Sequence, residues 1–308
     1  MGILSRDARH YQSLLEHQNL HELQIVFAEK DPAQVEDFEH IDILLTDPDL
    51  AATIIEHCTN LKWLQSTWAG NKPLFDSTKR DYQLCGVKDV FGSRMREYVF
   101  AYLLHFARNV EGFIEAQKSR RWQAPDISYL HGRKLGIMGV GSIGNAVAKT
   151  AKDFAMEVHG FTHSSTDCSY VDHYYKLDEL ENFASKLDYL VCLLPDTQNT
   201  RGLVDKVLLD ALPEHCVLIN AGRGQCINDG ALIAALQSNR LRAAVVDVTS
   251  EEPLPFEHPF WYTANLYLSQ HTAAISEPED ISTIFAANYH RYVNKQGLHY
   301  LLDFTKAY

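Results

Sequence analysis

Short apolar runs alternate along this chain with longer stretches whose apolar positions recur at helical intervals. Residues 23–28 (LQIVFA), 41–45 (IDILL) and 61–65 read as strands, while 7–17 and 49–58 have helical spacing. Alternation of this kind predicts a parallel, doubly wound sheet. A long helix is expected at 95–110 (MREYVFAYLLHFARNV), with apolar residues around most of its circumference, so the pattern predicts that it is largely buried. A second alternating series follows, with strands expected at 134–138, 157–161, 189–193, 217–220, 243–248 and 266–269. Six strands with intervening helices make the count of a complete dinucleotide-binding fold. A last helix is expected at 281–294, after the sixth strand. The first series is short of strands, so this helix is expected to pack back onto the first domain. The pattern thus predicts a discontinuous small domain, 1–93 and 277–308, and a continuous one, 94–276, with a ligand cleft between them.

Length agrees with two domains, because 308 residues is about twice the usual ~150 per domain. Apolar residues make up 46% and charged residues 22%, an ordinary globular composition that excludes disordered and collagen-like classes. Acidic residues exceed basic ones, 40 against 28, giving a net charge of −12. Such a surface repels phosphate backbones, and no Lys/Arg block offsets it, so nucleic-acid binding is not expected. The nearest to a block, residues 118–121 (KSRR), reads as the polar side of a helix. Cys58, Cys85, Cys168, Cys192, Cys216 and Cys226 form no CxxC pair, a spacing that fits reduced thiols and neither a disulfide frame nor a metal site. The amino-terminal segment lacks a signal-peptide apolar run, and Arg6 stands where N-myristoylation wants Ser or Thr. No apolar stretch reaches the ~18 residues that span a bilayer. A cytoplasmic, membrane-free protein is the expectation.

The clearest motif is GVGSIG at 139–144, which follows an apolar strand (KLGIM) and opens a helical stretch. That context makes the string a dinucleotide fingerprint and the 94–276 domain Rossmann-type. Gly139 permits the tight turn, Gly141 lets backbone approach a pyrophosphate, and Gly144 lets helix and strand pack closely. The amides near Ser142 and Ile143 then face the phosphate. At the end of the next strand, ~20 residues on, an NAD site wants Asp or Glu for the ribose hydroxyls. Residues 160–165 read GFTHSS, without a carboxylate. Thr162, His163 and Ser164 can each donate to a 2′-phosphate, so NADP(H) is the preferred cofactor and NAD(H) an admissible one.

Several further segments, in order, resemble the D-isomer-specific 2-hydroxyacid dehydrogenase family. They are 130–144 (LHGRKLGIMGVGSIG), 193–197 (LLPDT) with Thr200, 220–224 (NAGRG), Asp247-Val248 with 252–255 (EPLP), and His271 within SQHTAA. The resemblance covers nearly the whole chain. It implies a smaller, discontinuous, flavodoxin-like α/β substrate domain beside the Rossmann-type one. It also implies NAD(P)H-dependent reduction of small 2-oxo acids, similar to that of glyoxylate/hydroxypyruvate reductases.

The expected chemistry gives each residue a reason. A reduced carbonyl oxygen needs a proton, and a histidine, titrating near neutral pH, suits that task. His271 is the expected general acid. By the resemblance Glu252 is its carboxylate partner, which raises the ring's pKa and fixes its tautomer. Arg223 offers a permanently charged fork for the substrate's carboxylate and carbonyl. Asp247 is expected on the nicotinamide side, and Leu194, Pro195, Thr200, Ala221 and Gly222 along the cofactor. Residues 66–71 (STWAGN) resemble the family's substrate loop, with the Trp68, Ala69 and Gly70 segment presenting backbone amides to the substrate carboxylate. Arg94 and Arg96 are left outside the site.

Two positions depart from the family pattern. Thr249 stands where an aromatic is frequent, and Gln270 where proline usually precedes the histidine, so a looser backbone is expected at His271. A 3-phosphoglycerate dehydrogenase would call for basic residues that the small domain lacks. A formate dehydrogenase is disfavoured because Glu252 is intact. A dinucleotide-sensing, corepressor-like protein keeps the same residues and differs in lacking turnover. A homodimer through the Rossmann-type domains is expected, in line with the frequency of twofold dimers.

Overall fold

The computed structural model describes residues 1–18, 20–163 and 166–305. They divide into two compact units, Met1–Val90 with the chain from Ser276 onward, and Phe91–Ile275. Each unit is a wholly parallel sheet flanked by helices.

The smaller unit holds strands β1 (Gly2–Leu4), β2 (Phe27–Glu29), β3 (Ile43–Thr46), β4 (Trp63–Ser66) and β5 (Gln83–Cys85), in the spatial order β2-β1-β3-β4-β5. That is the flavodoxin-like order. Every residue of β1, β3 and β4 is buried, as expected of strands covered on both faces. Two strands were not legible in the pattern. β1 is a three-residue apolar run beside the polar stretch 5–10, and β5 carries exposed Gln83 at its start. The run 23–28 yields a strand only at Phe27–Glu29.

The expected last helix is Pro278–Val293, and it belongs to this unit. Its Phe285 ring stacks on Trp63 of β4 at 4.9 Å, and both side chains are fully buried. Buried Asn288 donates to Gln65 Oε1 at 3.1 Å, satisfying a polar pair inside the same core.

The larger unit holds β6 (Lys134–Met138), β7 (Glu157–Phe161), β8 (His173–Tyr175), β9 (Tyr189–Cys192), β10 (Val217–Asn220), β11 (Ala243–Val246) and β12 (Leu266–Leu268). Their order, β12-β11-β10-β9-β6-β7-β8, is the Rossmann order extended by a seventh strand. The strand missing from the sequence reading is β8, whose three residues HYY show no apolar alternation.

The helix expected at 95–110 runs Gly92–Ala107 and buries one face, including Met95, Val99, Phe100, Leu103 and Phe106. Arg96, Glu97 and Ala101 are exposed, so burial is less complete than the apolar count suggested. The chain then turns at Asn109, left-handed at φ 50°, whose side chain accepts from the Gly112 amide and starts a second helix, Val110–Lys118. Asn is one of the few non-glycine residues that visits this region readily. Of the basic stretch 118–121, only Lys118 is helical, and Arg120 is itself left-handed at φ 54°. All six cysteines are free and buried.

The Trp63–Phe285 stack makes the C-terminal helix part of the smaller unit's core. Phe285→Ala should cost ~3–5 kcal/mol and lower the urea midpoint of the transition seen by Trp63 fluorescence. An unchanged midpoint would show that the helix adds nothing to that unit.

Candidate active site

In the larger unit the candidate residues leave the carboxyl ends of strands, where open α/β sheets bind ligands. GVGSIG follows β6, Leu194 and Pro195 follow β9, Ala221 to Arg223 follow β10, Asp247 follows β11, and His271 lies three residues past β12. Parallel register sets Asn220 beside Val246 and Val246 beside Leu268. The loops bearing Arg223, Asp247 and His271 therefore emerge on one edge.

The glycine turn fits a dinucleotide phosphate. Gly139 has φ 98°, and a Cβ there would lie 2.9 Å from the Leu193 carbonyl oxygen. A Cβ on Gly144 would lie 2.3 Å from the Gly139 carbonyl oxygen, so strand and helix touch backbone to backbone. At Gly141, by contrast, nothing stands within 4 Å of a Cβ position. Gly141 caps the helix Ser142–Asp153 without any side-chain hydrogen bond. The first amides of that helix, at Ser142 and Ile143, thus open onto space beside Gly141, which suits an anion. Thr200 braces the β9 loop, its Oγ1 donating to the Pro195 carbonyl at 2.6 Å and accepting from the Thr197 amide at 2.9 Å.

His271 and Glu252 meet directly. The His271 Nδ1–H donates to Glu252 Oε2 at 2.7 Å, and the Thr249 amide donates to the other carboxylate oxygen at 2.9 Å. The Glu252 hydrogen bond raises the His271 pKa above its ordinary value against the opposing effect of burial, with the Asp247 charge assisting and Arg223 opposing. Burial raises the Glu252 carboxyl, but the bonds from His271 and Thr249 outweigh it and hold the group below the usual range. Arg223 acts electrostatically on both, and its Nη1 donates to the Gly222 carbonyl at 2.7 Å. A cavity of about 470 Å³ is lined by Asp247, Thr249, Glu252, Leu254, Gln270 and His271.

The backbone at His271 is held tightly, contrary to the looseness expected from Gln270. Gln270 and His271 are both left-handed, at φ 56° and 58°. Proline, fixed near −65°, has no access to that conformation, so the loop as built here requires a residue other than proline at 270. The loop is clamped by Asp247. The His271 amide donates to the Asp247 carbonyl at 2.6 Å. The Asp247 carboxylate accepts from the Thr272 amide at 2.8 Å, the Ala273 amide at 3.1 Å and Ser269 Oγ at 2.7 Å. Since Ser269 gives its proton to Asp247, the Tyr98 hydroxyl must be the donor in its 2.7 Å bond to Ser269 Oγ. Asp247 was read from the sequence only as a neighbour of the nicotinamide. Its part in holding the loop, and those of Tyr98 and Ser269, carried no sequence signal, because the three positions are distant along the chain.

Near the end of β7, Thr162 is buried and its amide donates to the Tyr175 carbonyl at 3.2 Å, while His163 is exposed. Ser164 lies outside the described residues.

Trp68, Ala69 and Gly70 follow β4 in the smaller unit. Their loop is organised by buried Asp47, which accepts from Thr67 Oγ1 at 2.6 Å, Ser5 Oγ at 2.8 Å and the Arg6 amide at 3.0 Å. The Arg6 guanidinium lies 5.4 Å from the Trp68 ring centre, close enough for a cation–π contact. Among the described residues no group of three or more His, Cys, Asp or Glu could hold a metal ion, and no helix is long and apolar enough to cross a membrane.

Comparison with known proteins identifies the family. The family model for the D-isomer specific 2-hydroxyacid dehydrogenase NAD binding domain matches residues 100–273. A crystal structure of a D-isomer specific 2-hydroxyacid dehydrogenase family protein from Aeromonas salmonicida is 37% identical, covering 98% of each chain with a TM-score of 0.94. A D-isomer specific 2-hydroxyacid dehydrogenase from Xanthobacter autotrophicus, in complex with NADPH and MES, is 26% identical over 100% of this chain and 98% of its own, at TM-score 0.89. An NADPH-dependent glyoxylate/hydroxypyruvate reductase from Sinorhizobium meliloti, in complex with NADP and sulfate, is 25% identical over 100% of this chain and 99% of its own, at TM-score 0.87. The chain belongs to the D-isomer specific 2-hydroxyacid dehydrogenase family, NAD(P)-dependent oxidoreductases whose cofactor domain here is the unit Phe91–Ile275.

Proposed function

We propose that this enzyme reduces small 2-oxo acids of the glyoxylate or hydroxypyruvate type to D-2-hydroxy acids, with NADPH preferred over NADH. The observation that carries the reading is the 2.7 Å bond between His271 and Glu252, beside the charge of Arg223. The dinucleotide, when bound, supplies the hydride. Glycines 139, 141 and 144 with the Ser142 and Ile143 amides hold its phosphates. Leu194, Pro195, Thr200, Ala221, Gly222 and Asp247 line the rest of its path. Arg223 holds the substrate carboxylate and carbonyl oxygen by its planar fork. Trp68, Ala69 and Gly70 bind the substrate through their loop.

Glu252 occupies Nδ1 of His271, so the transferable proton sits on Nε2. The imidazolium gives that proton to the substrate oxygen as negative charge develops there. Raising the ring's pKa keeps this acid form populated to higher pH, and reductive activity is lost as pH rises through that value. NADPH preference is supported by the absence of a carboxylate at 160–165 and by the NADPH and NADP complexes of the two relatives named above.

The homodimer reading is supported by exposed apolar side chains between residues 110 and 129 of the larger unit. Val110, Phe113, Ile114, Trp122, Ile127 and Tyr129 are all exposed, Trp122 completely. The helix Val110–Lys118 has no buried residue in the single chain. Large apolar side chains exposed in such number over residues 110–129 favour an interface.

Three outcomes are expected. His271→Ala should lower kcat for glyoxylate reduction by roughly 10²–10⁴-fold, with cofactor binding retained. Tight cofactor binding without turnover in the wild-type chain, on glyoxylate, hydroxypyruvate or pyruvate, would favour a dinucleotide sensor. Glu252→Gln should shift the falling limb of the reductive kcat/KM profile to lower pH, because the bond that raises the His271 pKa is weakened. A limb that stays in place would remove Glu252 from that role. Trp122→Glu should move the protein from the mass of two chains to that of one in sedimentation, whereas a wild-type monomer would dismiss the interface.

A further inference from the structure

The end of β7 carries no cation of its own that could answer a 2′-phosphate, and the neighbouring strand brings one to it. β8 runs parallel to β7, pairing Tyr174 with Gly160 and Tyr175 with Phe161. The pairing continues beyond the strand as the Thr162 amide bonds to the Tyr175 carbonyl. The next residue is Lys176, and its Nζ donates to the His163 carbonyl at 3.0 Å. A lysine from another strand is thereby held against His163, one of the residues proposed to meet the 2′-phosphate.

The surrounding acids are directed elsewhere. Glu179 turns Oε2 towards the Lys176 amide, 3.2 Å away. Asp172, which precedes β8, accepts from Lys152 Nζ and from the Val158 amide, each at 2.7 Å. Among the described residues no carboxylate meets Lys176 Nζ. An ammonium carries three donors, and the His163 carbonyl uses one. The side chain is half-buried, so its head is anchored and still open to solvent.

We infer that Lys176 is the cation that recognises the 2′-phosphate of NADPH and thereby sets cofactor preference. The inference rests on the NADPH reading above. An ammonium fixed at this edge adds attraction for a phosphate dianion and almost nothing for a ribose 2′-hydroxyl, so it discriminates between the two dinucleotides.

The test is calorimetric titration of the full chain with adenosine 2′,5′-bisphosphate and with 5′-AMP, for wild type, Lys176→Gln and Lys176→Arg. The wild type should prefer the bisphosphate. Lys176→Gln should weaken it by about tenfold, as loss of one charge-assisted phosphate contact implies, and leave 5′-AMP unchanged. Lys176→Arg should retain the preference. In steady-state assays the glutamine variant should raise KM for NADPH by a similar factor with KM for NADH unmoved. Unaltered discrimination in Lys176→Gln, or equal loss of both nucleotides, would overturn the assignment and leave Lys176 as a backbone clamp. A wild type that binds both nucleotides equally would instead overturn the NADPH reading, and this inference with it.

Discussion

Asp247 is the group on which the candidate site depends. Its buried carboxylate and backbone carbonyl together receive the His271, Thr272 and Ala273 amides and the Ser269 hydroxyl. Gln270 and His271 sit in left-handed backbone, a conformation that costs ~1–2 kcal/mol for each non-glycine residue. Hydrogen bonds to a buried charge contribute roughly 1.5–3 kcal/mol each, so three of them outweigh the cost of the two strained residues. The balance also explains why the loop needs a carboxylate at its base. A neutral side chain at 247 could not accept from so many donors at once, and the histidine would lose its bearing on Glu252.

The two sheets present their candidate residues in the same way. Parallel strands put every carboxyl end on one edge, so short loops deliver chemistry without long excursions of the chain. In the larger unit that edge carries the glycine turn, Arg223, Asp247 and His271. In the smaller unit it carries Ser5, Asp47 and the Trp68 loop, knit together by a second buried carboxylate. Both units therefore brace a candidate loop on an aspartate that immediately follows a strand.

Much of this was legible in the sequence, for physical reasons that can be named. GVGSIG between an apolar strand and a helix can do little else sterically, since Cβ atoms at Gly139 and Gly144 would strike backbone. The fully buried strands β9, β10 and β11 announce themselves as apolar runs. The strands that escaped, β1, β5 and β8, are three residues each and lack the longer apolar run, 23–28, that marks the equally short β2. Arg223, Glu252 and His271 were legible only through flanking motifs, because one histidine among 15 carries no signal by itself. Lys176 and Tyr98 were not legible at all. Each matters through a contact made by tertiary structure, with His163 thirteen residues away and with Ser269 171 residues away. Gln270 shows the opposite failure, where a departure from pattern suggested looseness and the backbone proved clamped.

The Glu252 carboxylate makes His271, in a loop fixed by Asp247, a stronger base than free imidazole, as the proposed role in reduction requires. The most direct measurement is the titration of the His271 ring by NMR, with ¹³C or ¹⁵N histidine and His271→Gln for assignment. The ring should titrate above the ordinary value of about 6.5 and return towards it in Glu252→Gln. A wild-type value at or below the ordinary one would contradict it.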